Sequence, residues 1–114
     1  RVRSRDGQPF GYYTSWTTGL RKAVGKRDFQ KSPRLAIFRK QGLKISHVTQ
    51  TISAVAATTE LAQHLDTAHG APLISLTRQS YETHEGEEKL VDYLQAYYHP
   101  ERFQYRMDLE LDKA

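Results

Sequence analysis

Three observations predict an α+β fold, a mainly antiparallel β-sheet flanked by short helices. Runs rich in β-favouring residues recur between tight-turn signals, helical patterning is confined to brief segments, and hairpins dominate the connections. With 114 residues, one compact domain is expected, burying roughly 65% of its unfolded surface.

Each element has a local reason. Residues 1–5 alternate basic and small or apolar side chains, and Asp6-Gly7-Gln8-Pro9 is a turn signal. The run 10–18 is aromatic and β-favouring, so the two segments read as a β-hairpin. Residues 19–43 read as helix in two pieces, a short basic one at 20–24 and a second opening near Pro33 and stopped by Gly42. Residues 44–55 carry Ile45, Val48, Thr49, Thr51, Ile52 and Val55, a strand by period two. A threonine cap and Glu60 introduce a short helix through Leu65, and Gly70 ends that segment. Strands are expected over 72–82, 89–98 and 103–111, with a polar turn at 84–87 and a corner at His99-Pro100-Glu101. A chain that opens inside a strand is expected to have residues upstream of it.

Composition removes several classes of function. No cysteine is present, which excludes disulfides, thiolate catalysis and Cys-ligated zinc and suits a cytoplasmic protein. No apolar run approaches the ~20 residues needed to cross a bilayer, and no signal-peptide pattern opens the chain. His47, His64, His69, His84 and His99 share no metal-ligand spacing, and no nucleophile elbow, phosphate loop or dinucleotide fingerprint occurs. Neither a metal nor a cofactor is therefore expected. The net charge is +4, with the basic excess concentrated before residue 41 and a later part that is balanced or acidic. That asymmetry fits an anionic ligand site, plain solubility or nucleic-acid contact. Tyr93, Tyr97, Phe103 and Tyr105 fit a core or a dimer surface better than a base-stacking platform.

Two features could carry chemistry. On a strand, Arg1, Arg3 and Arg5 point to one face. Their guanidiniums repel one another unless that face is solvated or holds an anion. Planar bidentate donors suit a carboxylate or phosphate. On the strand 89–98, the residues Leu90, Asp92, Leu94, Ala96 and Tyr98 are expected on one face, setting a carboxylate among aliphatic neighbours. Such a carboxylate needs a partner. Two readings fit: a structural salt bridge, or a pocket in which Asp92 and Tyr98 hold a polar ligand.

Three segments together resemble one family. Arg1-Val-Arg3-Ser-Arg-Asp-Gly7-Gln-Pro9 is similar to an Arg-x-Arg…Gly-x-Pro motif. Ser53-Ala-Val-Ala-Ala-Thr-Thr59-Glu-Leu-Ala62-Gln-His-Leu65, followed by Gly70-Ala-Pro72-Leu, resembles its most recognisable stretch. Asp92-x5-Tyr98-His-Pro-Glu-Arg102-Phe-Gln-Tyr105 resembles its closing acidic-x5-Tyr motif. The family is the UTRA effector-binding domain of GntR-type bacterial transcription regulators, HutC subfamily, with a chorismate lyase-like fold.

The resemblance spans nearly the whole of 1–114, lacking the domain's first strand and the winged helix-turn-helix that precedes it in the family. It implies a homodimer that binds a small, often anionic effector and reaches DNA only through the winged helix-turn-helix domain. It assigns Arg1 and Arg3 to an anionic group, Ser32 to a ligand contact, and Asp92 and Tyr98 to the ligand's polar groups. Tyr13 stands where phosphosugar-sensing members carry a glutamate, which argues against an amino-sugar phosphate. His99 and Glu101 replace an arginine and an aspartate of the motif. A chorismate-lyase-like enzyme on the same fold is the alternative, because fold does not decide function.

Overall fold

The computed structural model describes residues 1–17 and 44–111. The two expected helical pieces between 19 and 43, and with them Ser32, lie outside the described residues. Five strands form a single sheet: β1 (Val2–Arg5), β2 (Gln8–Thr17), β3 (Ile45–Ala56), β4 (Pro72–His84) and β5 (Glu87–Tyr98). Their spatial order is β1-β2-β5-β4-β3, and every neighbouring pair is antiparallel.

Both tight hairpins follow from two-residue loops. Asp6 and Gly7 have φ of 52° and 79°, and Glu85 and Gly86 have φ of 51° and 82°. Positive φ at both central residues is the turn whose twist matches that of the flanking strands, and glycine reaches it without a Cβ penalty. The loops join Arg5 to Gln8 and His84 to Glu87. β2 then pairs with β5 across the long sequence separation, through Gly11↔Tyr98 to Thr17↔Asp92.

Three β-bulges break the simple alternation, one of them at Ser46, between the pairs Ile45↔Glu82 and His47↔Tyr81. Arg3 faces Gly11 while Ser4 faces Pro9, so Phe10 is the extra residue. Ser80 faces Asp92 while Tyr81 faces Leu90, so Val91 is the extra residue. A bulge opposes two residues to one and resets which side chains share a face. Leu90 thereby leaves the face expected for it and joins that of Tyr81. Val91 and Asp92, 2% and 1% exposed, are instead buried as neighbours.

One face of the sheet carries the helix α1 (Thr59–His64). The Thr58 hydroxyl accepts from the Leu61 N–H at 3.2 Å, and Glu60 lies in the first turn, as the cap pattern requires. Six residues are too few to hold a helix by propensity. Its stability comes from packing: Ala57, Ala62, Leu65 and Leu73 form a buried cluster with Tyr12 and Tyr97 against it. Arg102 ties the helix end down, donating to the carbonyls of Leu65 at 2.8 Å, Asp66 at 3.2 Å and Pro9 at 3.0 Å. The opposite face holds a second cluster of Phe10, Leu76, Ala96 and Tyr98, with Tyr13, Ile74 and Phe103 packed on it. Among the described residues, no helix is long and apolar enough to cross a membrane.

The expected strand over 103–111 does not form. Phe103 turns inward and stacks on Tyr98 at 3.9 Å between ring centres. Beyond it the backbone finds no ladder partner among the described residues, and Met107, Leu109 and Leu111 are 61%, 75% and 88% exposed. Alternation of side chains states which faces a strand would have; it does not supply the neighbour a strand needs.

Candidate functional site

The register places the site residues in cross-strand rows on the face opposite α1. The first row is Arg3, Gly11, Tyr98 and Ile74. The second is Arg1, Tyr13, Ala96 and Leu76, where Arg1 and Tyr13 exchange backbone hydrogen bonds at 2.7 Å each. Ser15, Leu94, Arg78 and Gln50 form the third, and Thr17, Asp92, Ser80 and Val48 the fourth. Residues two apart on a strand are separated by about 6.7 Å, so the first and fourth rows lie about 20 Å apart along the sheet.

The first two rows form an aromatic floor under guanidiniums. The Arg3 guanidinium lies 5.8 Å from the Phe10 ring centre and 5.8 Å from that of Tyr13, and Arg5 lies 5.5 Å from Phe10. Phe10 reaches this face because it is the bulged residue. Tyr13 lies back across Gly11, where a Cβ would stand 2.9 Å from its ring. Its ring meets Tyr98 edge-on at 5.6 Å and 83°. Burial, reinforced by the hydrogen bond with Tyr13, pushes the Tyr98 phenol well above its ordinary value of 10.0, while Arg78 and Arg3 pull weakly the other way. The Tyr98 hydroxyl is therefore protonated at neutral pH. Arginines over aromatic rings keep their N–H edges available to an anion while the cation rests on the ring face.

The fourth row has different chemistry. Asp92 is buried, and Thr17 Oγ1 donates to its Oδ1 at 2.6 Å. Ser80 stands opposite it in register. Between the two ends, Arg78 Nε donates to Gln50 Oε1 at 3.1 Å, and Gln50 Nε2 donates to the Tyr105 hydroxyl at 2.7 Å. One end thus presents donors for an anion and the other presents a carboxylate with hydroxyl groups.

The structure brings Arg3, Tyr13 and Tyr98 together, with Arg1 on the adjoining row. Asp92 shares their face but lies two rows beyond Tyr13, about 13 Å along the strands. Among the described residues, no group of three His, Cys, Asp or Glu is arranged to hold a metal. His99 is buried, and its Nδ1 accepts from the Glu101 N–H at 3.2 Å within the corner that follows β5.

Several residues of this face escaped sequence reasoning: Gly11, Thr17, Arg78 and Ser80. A two-residue loop at 85–86 with unbroken pairing would have set Ser80 opposite Val91 and Asp92 on the other face from Arg78. The bulge at Val91 reverses that, and its only sequence signal is the misfit of a carboxylate within an apolar alternation.

The UTRA domain family model matches residues 1–104. A crystal structure from Streptomyces coelicolor is 23% identical, with 98% of this chain and 73% of that one covered and a TM-score of 0.83. A GntR-family transcriptional regulator from Enterococcus faecalis V583 is 27% identical over 95% of this chain and 76% of its own, with a TM-score of 0.77. The effector domain of PhnF from Mycobacterium smegmatis is 19% identical, covering 96% of this chain and 67% of its own, with a TM-score of 0.73. None of the curated proteins matches the chain. The two less similar neighbours speak to the fold alone, and the mainly antiparallel sheet expected from the sequence is the one they share. With nearly its whole length matched by one family model, the chain belongs to the UTRA domain family.

Proposed function

We propose that this chain is the ligand-sensing domain of a GntR-type transcription regulator, binding a small anionic metabolite on the sheet face opposite α1. The observation that carries this reading is the grouping of the Arg3 guanidinium, the Tyr13 ring and the protonated Tyr98 hydroxyl on one face. Arg1 and Arg3 hold the anionic group. Tyr13 and Tyr98 supply hydroxyls beside it, and Asp92 receives a donor from the rest of the ligand. Ser32 is a further ligand contact in this reading.

Binding selects one of two arrangements of a homodimer, and its effect on DNA affinity is no larger than the ligand's differential affinity for them. The exposed apolar residues Met107, Leu109 and Leu111 offer surface that a second copy would cover. DNA is contacted by a separate winged helix-turn-helix domain in the cytoplasm, and this domain performs no catalysis.

A thermal-shift screen of organic acids, sugar phosphates, phosphonates and amino-acid catabolites tests the reading. An effector at 100-fold its Kd stabilises the native state by about 2.7 kcal/mol. Arg3→Ala is expected to remove the shift while the apo melting temperature stays close to that of the wild type. Unfolding of Arg3→Ala, or chorismate turnover by the wild type, contradicts it.

A further inference from the structure

The stretch that follows the β5 corner crosses the sheet on side chains rather than on a ladder. Phe103 stacks on Tyr98 at 3.9 Å and 10°, and lies 5.9 Å from the parallel ring of Phe10. Two residues on, the Tyr105 hydroxyl accepts from Gln50 Nε2 at 2.7 Å, and Gln50 Oε1 accepts from Arg78 Nε at 3.1 Å. Tyr98 stands on β5 and Gln50 on β3, two strands away. The stretch therefore reaches about 10 Å across the sheet. Both of its anchors end on the face that carries Arg1 and Arg3. Phe103 rests on a ring of the aromatic floor, and Tyr105 is joined through one amide to the guanidinium of Arg78.

We propose that residues 103–105 are a strap over the sensing face, latched by the hydrogen-bond chain from Tyr105 through Gln50 to Arg78, and that effector occupancy tightens this latch. The proposal rests on the sensing reading above and adds how occupancy leaves the site. Arg78 from β4 and Arg3 from β1 both act on the Tyr98 hydroxyl. An anion beside that hydroxyl is in reach of both guanidiniums, and a charge-assisted bond to it is about twice as strong as a neutral one. The anion fixes the long Arg78 side chain, whose Nε already points at Gln50. Ordering that side chain once serves both contacts, so the latch loses less freedom when the anion is bound. By reciprocity, a closed latch raises the affinity for the anion. Met107, Leu109 and Leu111 follow directly and are 61%, 75% and 88% exposed. A tightened Tyr105 holds this apolar stripe in one position, which turns occupancy into a change of surface.

Met107 is the one methionine of the chain, so labelling methionine methyls of the whole chain gives a single NMR signal two residues past Tyr105. Without any anion, Gln50→Ala and Tyr105→Phe are each expected to make that methyl more mobile, and the double variant no more so than either. Unchanged mobility in both variants, or increases that add, overturns the latch. Inorganic phosphate is the probe for the second arm, with its affinity measured by calorimetry. As phosphate saturates wild type, the Met107 signal is expected to move and lose mobility. Tyr105→Phe is expected to bind phosphate about fivefold more weakly, the scale of one hydrogen bond. Gln50→Ala should bind it with no response at Met107. A Met107 signal indifferent to saturating phosphate overturns the coupling, as does wild-type affinity in Tyr105→Phe. If wild type binds no phosphate, or Arg3→Ala binds it equally well, the anion clamp fails and the coupling with it. The comparison without phosphate still decides the latch in that case.

Discussion

The ring of Tyr13 occupies the space that a side chain at Gly11 would need: a Cβ there would stand 2.9 Å from the Tyr13 ring. Gly11 therefore fixes where Tyr13 lies, and Tyr13 in turn meets Tyr98 and carries the Arg3 guanidinium. Gly11→Ala is expected to swing the ring aside and cost about 1–3 kcal/mol, the range for overpacking. In a Tyr13→Ala background the same substitution should cost almost nothing. Urea denaturation of the four proteins of that cycle gives the coupling directly, and additive losses would show that the ring is not what the new methyl strikes.

Tyr98 makes alkaline stability an observable of this cluster. Its folded value is raised above the ordinary 10.0, mainly by burial, so the folded phenol keeps its proton when the unfolded one loses it. Stability from this group is fully present below pH 10.0 and is lost as pH rises from there toward the folded value. The slope from one proton is at most about 1.4 kcal/mol per pH unit. Tyr98→Phe is expected to be less sensitive than wild type across that window, while the two keep a constant difference from pH 7 to 9. Parallel curves above pH 10 would mean that the phenol titrates normally.

Arg102 joins three carbonyls from two separate segments, Pro9 at the start of β2 and Leu65 and Asp66 at the end of α1. Arg102→Ala leaves those acceptors without their charged donor and is expected to cost about 3 kcal/mol. Arg102→Lys should recover little, because a point charge cannot reach both segments with the geometry of a guanidinium fork. Amide exchange in α1 should quicken in both variants. Full rescue by lysine would reduce the contact to simple charge.

The parts of this fold legible in the sequence are those whose cause is local. Asp6-Gly7 and Glu85-Gly86 announce their loops because only a few residues accept positive φ. Thr58 and Glu60 announce α1 by capping chemistry. The arginine face was legible too, since strand alternation carries Arg1, Arg3 and Arg5 to one side. What stayed hidden has its cause at a distance. The bulges at Phe10 and Val91 are decided by how buried side chains on neighbouring strands pack, and they moved Leu90 off the face assigned to it. The residues 103–111 have the alternation of a strand without a ladder partner among the described residues. Arg102 acts on backbone carbonyls, which leave no pattern of residue types to read.

The most direct measurement of the account is a crystal structure of the chain with an effector from the screen bound. The ligand's anionic group should lie within hydrogen-bond distance of the Arg1 or Arg3 guanidinium, above the rings of Tyr13 and Phe10. An anionic group found on the α1 side of the sheet, out of reach of both guanidiniums, would contradict the sensing face described for this domain.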